Sequence, residues 1–152
     1  MTAWLLERVE DGFVNWMNLS SSIAVSGSGS GVMTAYHGVN YDQKTENNSV
    51  FVVAEKAEQI EYGSNIWNVG LNIIHKYCPE VESEINLNER NSAIKKLTEA
   101  IYNNQNLYSN IETNTNGLKI YDIESGNTLN TTDGTNWINV QEFNVVCCIF
   151  NT

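Results

Sequence analysis

Trp67, Val69, Leu71 and Ile73 alternate with Asn68, Gly70 and Asn72. A period of two puts the first set on one face of a strand and the second on the other. This stretch therefore commits the chain to a sheet with at least one buried face. The neighbouring segments fall into an order around it. Val50-Phe51-Val52-Val53-Ala54 opens an earlier strand that runs in polar alternation toward Ile60, and Glu61 to Asn65 makes the turn between the two. Pro79, the only proline, restricts Cys78 before it, so the second strand is expected to stop there.

Asn88 is placed to cap a helix that begins at Glu89-Arg90. Ala93, Ile94, Leu97, Ala100 and Ile101 form its apolar stripe, opposite Arg90, Lys95, Lys96 and Glu99. Leu107, Tyr108 and Ile111 extend the stripe through a second short turn. Burying such side chains at roughly 1.5–3 kcal/mol each draws this helix onto the sheet. It can cover only one face.

Leu118 to Ile123 reads as a third strand ended by Glu124-Ser125-Gly126, with a turn-rich run from Asn130 to Gly134 after it. The last strand spans Trp137 to Phe150. Ile138 and Val140 keep one parity while Phe143, Val145, Cys147 and Ile149 keep the other, so a bulge near Gln141-Glu142 is expected to realign them. Val146, Cys148 and Phe150 are apolar too. Both faces of this strand then need cover, from an internal position or from another subunit.

The amino-terminal third is different. Leu5, Leu6, Val9, Phe13 and Trp16 or Met17 recur at helical spacing, predicting an amphipathic helix of about 15 residues. Gly12 inside it marks close helix packing or a local loss of propensity. Residues 20–31, rich in Gly and Ser, offer no groups with which to pack and read as a mobile connection. They lack the order of a phosphate-binding loop. Val32 to Asn40 is a short extended segment around Tyr36, and Asp42 to Ser49 an exposed loop. The fold class expected is α+β: a twisted, mainly antiparallel sheet of four to five strands, a helix packed across one face, and an amino-terminal helix. The 152 residues suffice for one domain, 1–152, and not for two.

Composition excludes several functions. Eight basic against 18 acidic residues give a net charge of −10, and no basic stripe exists to grip a nucleic-acid backbone. No run of apolar residues approaches a membrane span, and the amino terminus lacks a basic leader with a cleavable apolar core. The 23 Asn favour turns and helix ends, and make the sequons at Asn18, Asn47 and Asn130 easy chance matches. Cys147 and Cys148 are adjacent, so on a strand they point to opposite faces and are expected to be reduced packing thiols.

Reactive chemistry is sparse. His37 and His75 are the only imidazoles. His75 follows the buried alternation of its strand and reads as structural. His37, beside Tyr36 and the Gly/Ser tract, is the weaker candidate for ligand binding. Asp42 with Glu46 and Glu55 with Glu58 lack the arrangement of a calcium loop, and Glu80, Glu82 and Glu84 read as a solvated charge run. No zinc quartet, catalytic residue, cofactor or metal site is expected. Among the tryptophans, Trp4, Trp16 and Trp67 sit at core phase, whereas Trp137 enters its strand after a polar turn and is a candidate interface anchor.

The order of elements resembles the tail-terminator family of long-tailed bacteriophages and, more loosely, head–tail joining proteins. The counterparts are the helix Leu5–Met17, the tract Ser20–Gly31, the strands Val50–Ile60 and Ile66–Tyr77, the helix Glu89–Asn103, and the strands Leu118–Ile123 and Trp137–Ile149. The resemblance is one of architecture over most of the chain, without a diagnostic motif, and the long Asn/Thr-rich approach to Trp137 departs from it. It implies a structural virion protein in the tail or neck, assembled in the host cytoplasm. Such a protein forms a ring, hexameric in the family, at the end of the tail tube, ends tail assembly and joins tail to head. The implied partners are its own copies, the tail tube protein, and a head-completion or neck protein, with DNA passing through the ring. Candidate interface residues are Trp137, Val146, Cys148, Phe150 and Tyr36. The alternative is a small cone-shaped α+β enzyme or ligand-binding protein with a pocket near His75, lined also by Tyr77, Asn72 and Asp122.

Overall fold

A computed structural model describes residues 2–19, 33–43, 48–77, 84–115, 117–132, 134 and 136–150. The Gly/Ser tract at 20–31, expected to be mobile, lies outside them. The elements are α1 (Thr2–Met17), β1 (Thr34–His37), a 3₁₀ turn (Gly38–Gln43), β2 (Asn48–Gln59), β3 (Ile66–Tyr77), α2 (Glu84–Tyr102), α3 (Leu107–Thr113), β4 (Leu118–Thr132) and β5 (Trp137–Ile149). The strands form one sheet in the order β1-β2-β3-β5-β4. β1 runs parallel to β2, and the other pairings are antiparallel. This is the α+β fold expected.

Among the described residues, the three α-helices sit on one side of the sheet. Directly opposed residues of neighbouring strands share a face, so Val50, Ile73, Phe143, Val145, Cys147 and Ile120 fall together on the helical side. There they join one buried cluster with Leu5, Val9, Phe13, Trp16 and Met17 of α1, Ala93, Leu97 and Ile101 of α2, and Leu107 and Ile111 of α3. α1 lies against β1 and β2. α2 follows β5: Gln141 donates to Thr98 Oγ1 at 3.4 Å, and the Tyr102 and Phe143 rings lie 5.9 Å apart. Gly12 is a close approach, because a Cβ there would stand 2.6 Å from Thr115 Oγ1 and 2.9 Å from Ile111 Cγ2.

Four local expectations are corrected. β5 carries no bulge near Gln141-Glu142; its register with β3 is continuous from Tyr77↔Trp137 to Ile66↔Cys148. The parity of Phe143, Val145 and Cys147 therefore extends backward, burying Asn139 and Gln141 and turning Ile138 and Val140 to the other face. The irregularities fall instead in β4, at Ile120/Asp122 and Ser125/Thr128, and in β2 at Ala54/Lys56. Second, Glu124-Ser125-Gly126 does not end β4, which runs on to Thr132 because β5 pairs with it along that length. Third, α2 starts at Glu84, so Asn88 lies within the helix and does not cap it. Fourth, at the loop expected from Asp42 to Ser49, Asn48 and Ser49 already belong to β2 and are buried.

Side chains cap the sheet edges. Asn18 makes a two-pronged contact with the outer edge of β1, donating to Ala35 O at 2.9 Å and accepting from Ala35 N at 2.7 Å. Beyond the end of β1, Glu10 Oε2 takes the Ala54 N–H at 2.9 Å. On the opposite edge, Glu112 accepts from Ile120 N at 3.1 Å and the Tyr108 hydroxyl from Ile123 N at 3.0 Å. Unpaired strand edges invite further pairing, and these contacts close part of both edges.

Candidate functional site

The sheet face turned away from the helices is the largest feature that the fold leaves unexplained. Ile66, Ile74, Ile138, Val140, Val146 and Cys148 stand on it, each only half-buried. Tyr121 and Leu129 of β4 and Phe150 just past β5 add exposed apolar groups at 50%, 58% and 49%. The polar row of β3, Asn68, Gly70 and Asn72, runs down its middle. Four exposed carboxylates share the face: Glu55, Glu58, Glu124 and Glu142. The Ala54/Lys56 bulge places Glu55 there, where it accepts from Asn72 Nδ2 at 2.5 Å. Lys56, packed beside Gly70, offsets one of the four.

One corner is covered. The 3₁₀ turn folds Tyr41 over Phe51, with ring centroids 5.1 Å apart, and Tyr36 meets the same ring at 5.7 Å. Lys76 is 5% exposed beneath it, donating to Tyr41 O at 2.9 Å with its ammonium 4.3 Å from the Tyr41 ring. A Cβ at Gly38 would collide with Val53, so glycine lets the turn cross this close. Tyr36 thus belongs to an internally packed corner, apart from the open part of the face.

The remaining interface candidates divide. Val146 and Cys148 lie on the bare face and Phe150 beside it. Trp137 is 39% exposed on the helical side, with the Arg90 guanidinium 4.9 Å above its ring. Cys147 and Cys148 point to opposite faces and are free. Burial, and then the neighbouring Cys148, pushes the Cys147 thiol up to about 12. Cys148 Sγ lies 3.5 Å from the Tyr121 hydroxyl, whose pKa is raised chiefly by that hydrogen bond.

His75 is 1% exposed on the helical face, its Nε2 2.8 Å from Asn48 Oδ1. The amide oxygen can only accept, so Nε2 carries the proton. Burial first, and the Arg90 charge second, lower its pKa from 6.5 to about 4. The adjoining void, lined with Arg90, Asn130, Trp137 and Asn139, measures about 10 Å³, scarcely room for one water. Asn72 faces the opposite side of the sheet, and Asp122 pairs with Val146 far along β5 from His75. The pocket group suggested by the sequence does not converge. Asn139 instead donates to Asn130 at 2.7 Å and accepts from Gln141 at 3.2 Å, an amide chain buried at Asn139 and Gln141 that the sequence reading missed.

His37 is similarly occupied. Its Nδ1 lies 3.0 Å from Glu10 Oε1 and its Nε2 3.2 Å from Asp11 Oδ1, which ties β1 to α1. A cavity of about 640 Å³ opens between the α2–α3 turn and β4. Asn104, Gln105, Asn106, Tyr102, Tyr108 and Phe143 contribute to its lining. Its acid and base are already used: Glu112 pairs with Lys119 at 3.4 Å and holds the β4 edge. Among the described residues, no group of three or more His, Cys, Asp or Glu side chains is placed to hold a metal, and no helix is long and apolar enough to cross a membrane. No family model matches this sequence, and no curated protein matches it.

Proposed function

We propose that this chain is a structural virion protein of a long-tailed bacteriophage, forming a ring at the end of the tail tube that ends tail growth and joins tail to head. The observation that carries the reading is the sheet face bearing Val146 and Cys148. It carries apolar side chains from β3, β4 and β5 around a polar middle, and among the described residues no helix covers it. Four strands about 4.8 Å apart and about 40 Å long present roughly 700 Å², close to the ~800 Å² that each partner gives to a stable protein interface. Its apolar groups, Ile74, Ile138, Val140 and Leu129 toward one end and Ile66, Tyr121, Val146 and Cys148 toward the other, flank a polar middle and mark a contact site. Both histidines serve the fold, His75 buried against Asn48 and half-exposed His37 tied to Glu10 and Asp11, which leaves assembly as the better account of the molecule. A void of about 10 Å³ beside His75 gives the alternative, a ligand pocket, no support. The proposed partners are further copies, the tail tube protein and a neck protein, with DNA passing through the ring.

Native mass spectrometry and negative-stain microscopy of the full chain, alone and with isolated tail tubes, test the reading. A hexameric mass or ring-shaped particles on tube ends are expected. A chain that stays monomeric in both conditions refutes it.

A further inference from the structure

We infer that the bare sheet face is covered by the helical layer of the next copy, centred on Lys95 and Lys96 of α2, in a head-to-tail contact. The inference rests on the assembly reading above and adds which two surfaces meet. Glu55, Glu58, Glu124 and Glu142 stand among the apolar residues of the face, with Lys56 as their main local counter-charge. Two such faces brought together about a two-fold axis would oppose carboxylate to carboxylate. Like charges juxtaposed at an interface are strongly unfavourable. The face is therefore not complementary to itself, and its partner carries positive charge.

Among the described residues, exposed positive charge gathers at Lys95 and Lys96 of α2, beside Glu99. Of its eight basic residues, three are on α2, at Arg90, Lys95 and Lys96. Lys76 is buried under Tyr41, Lys119 is held by Glu112, and Arg90 is stacked on Trp137. Lys95 has a 77% exposed side chain and only a long 3.9 Å contact with Glu99, while Lys96 is partly exposed beside it. One turn or two further along the helix, Tyr102 is 48% exposed and offers an aromatic group to the apolar part of the face. Because α2 lies on the opposite side of the sheet from the bare face, one copy presents both surfaces at once, pointing apart. A contact between different patches propagates from copy to copy and closes as a ring when the rotation allows. The bare sheet then sits between its own helices and those of its neighbour, the layered arrangement that buries both faces of a sheet.

The test uses two full-length charge-reversed variants, Lys95→Glu with Lys96→Glu, and Glu55→Lys with Glu142→Lys. All four positions are on exposed or partly exposed surface, and circular dichroism checks that each variant folds. Association is followed by sedimentation velocity, with tail tubes added if the wild-type chain alone stays monomeric. Each variant alone is expected to need at least about tenfold more protein to associate. An equimolar mixture of the two is expected to recover wild-type association, because every contact in an alternating ring then pairs opposite charges. Wild-type-like association of either variant alone, or impaired association that mixing does not restore, overturns the inference and leaves the assembly reading standing. That second outcome points to a different basic partner for the face. A wild-type chain that never associates removes both.

Discussion

Acid should destabilise this protein through His75. The ring is buried, donates to Asn48 Oδ1, and has its pKa lowered from 6.5 to about 4. An unfolded chain takes up this proton near the ordinary value, so below it the unfolded state binds more protons than the folded one. The stabilisation is complete above 6.5, declines as the pH falls from there toward 4, and is gone below both values. The full difference is worth about 3 kcal/mol, of which about 2 kcal/mol has been lost by about pH 5. His75→Gln keeps a donor of similar reach toward Asn48 but cannot titrate. Urea unfolding of both proteins at about pH 7.5, 6 and 5 isolates the effect, because the carboxylates and His37 are common to both. The wild-type free energy of unfolding should fall by about 2 kcal/mol more than that of the variant over this range. Parallel pH profiles would refute the assignment of His75 as a buried neutral ring, whatever the absolute stability of the variant.

Gly12→Ala should be destabilised by about 1–2 kcal/mol in urea unfolding, since the added methyl meets Thr115 and Ile111, although helix propensity alone favours alanine by about 1 kcal/mol. A variant as stable as the wild type would show that α1 and α3 are not so tightly apposed. Asn18→Ala removes both contacts to Ala35 and should cost about 1–3 kcal/mol, with faster amide exchange at Ala35 than at Val52 in the sheet interior. Equal exchange in variant and wild type would rule out Asn18 as the guard of the β1 edge. With iodoacetamide, Cys148 should be alkylated in the folded, unassembled chain while Cys147 reacts only after unfolding, as read by peptide mass mapping. Labelling of Cys147 first would invert the assignment of the two faces of β5.

The closing strand shows where sequence pattern reaches its limit. Phe143, Val145 and Cys147 announce a buried parity, and the structure keeps it. Ile138 and Val140 break that parity, and only a bulge would bring them inside. Without the bulge they lie on the open face, and Asn139 and Gln141 are buried in their place. Alternation says that residues differ in face; it does not say which face has helices over it. Apolar side chains on an uncovered surface imitate a core as far as the sequence is concerned. The same ambiguity hid the four carboxylates of the bare face, which come from β2, β4 and β5 and meet only through strand pairing. Tyr36 and Trp137, expected as candidate interface residues, have intramolecular partners in Phe51 and Arg90 that lie far away along the chain.

Local periodicity by itself determined the kind and order of most elements: an amphipathic first helix, the β2–β3 hairpin, the central helix with its short successor, and the closing strand. It also determined that the apolar surface exceeds what so few helices can shield. Strand order, the parallel placement of β1, the collection of α1, α2 and α3 on one side and the pairing of β4 through Thr132 were decided by tertiary structure. The division has a physical cause. Periodicity is written in neighbouring residues, whereas register and the choice of covered face depend on which distant segments arrive together.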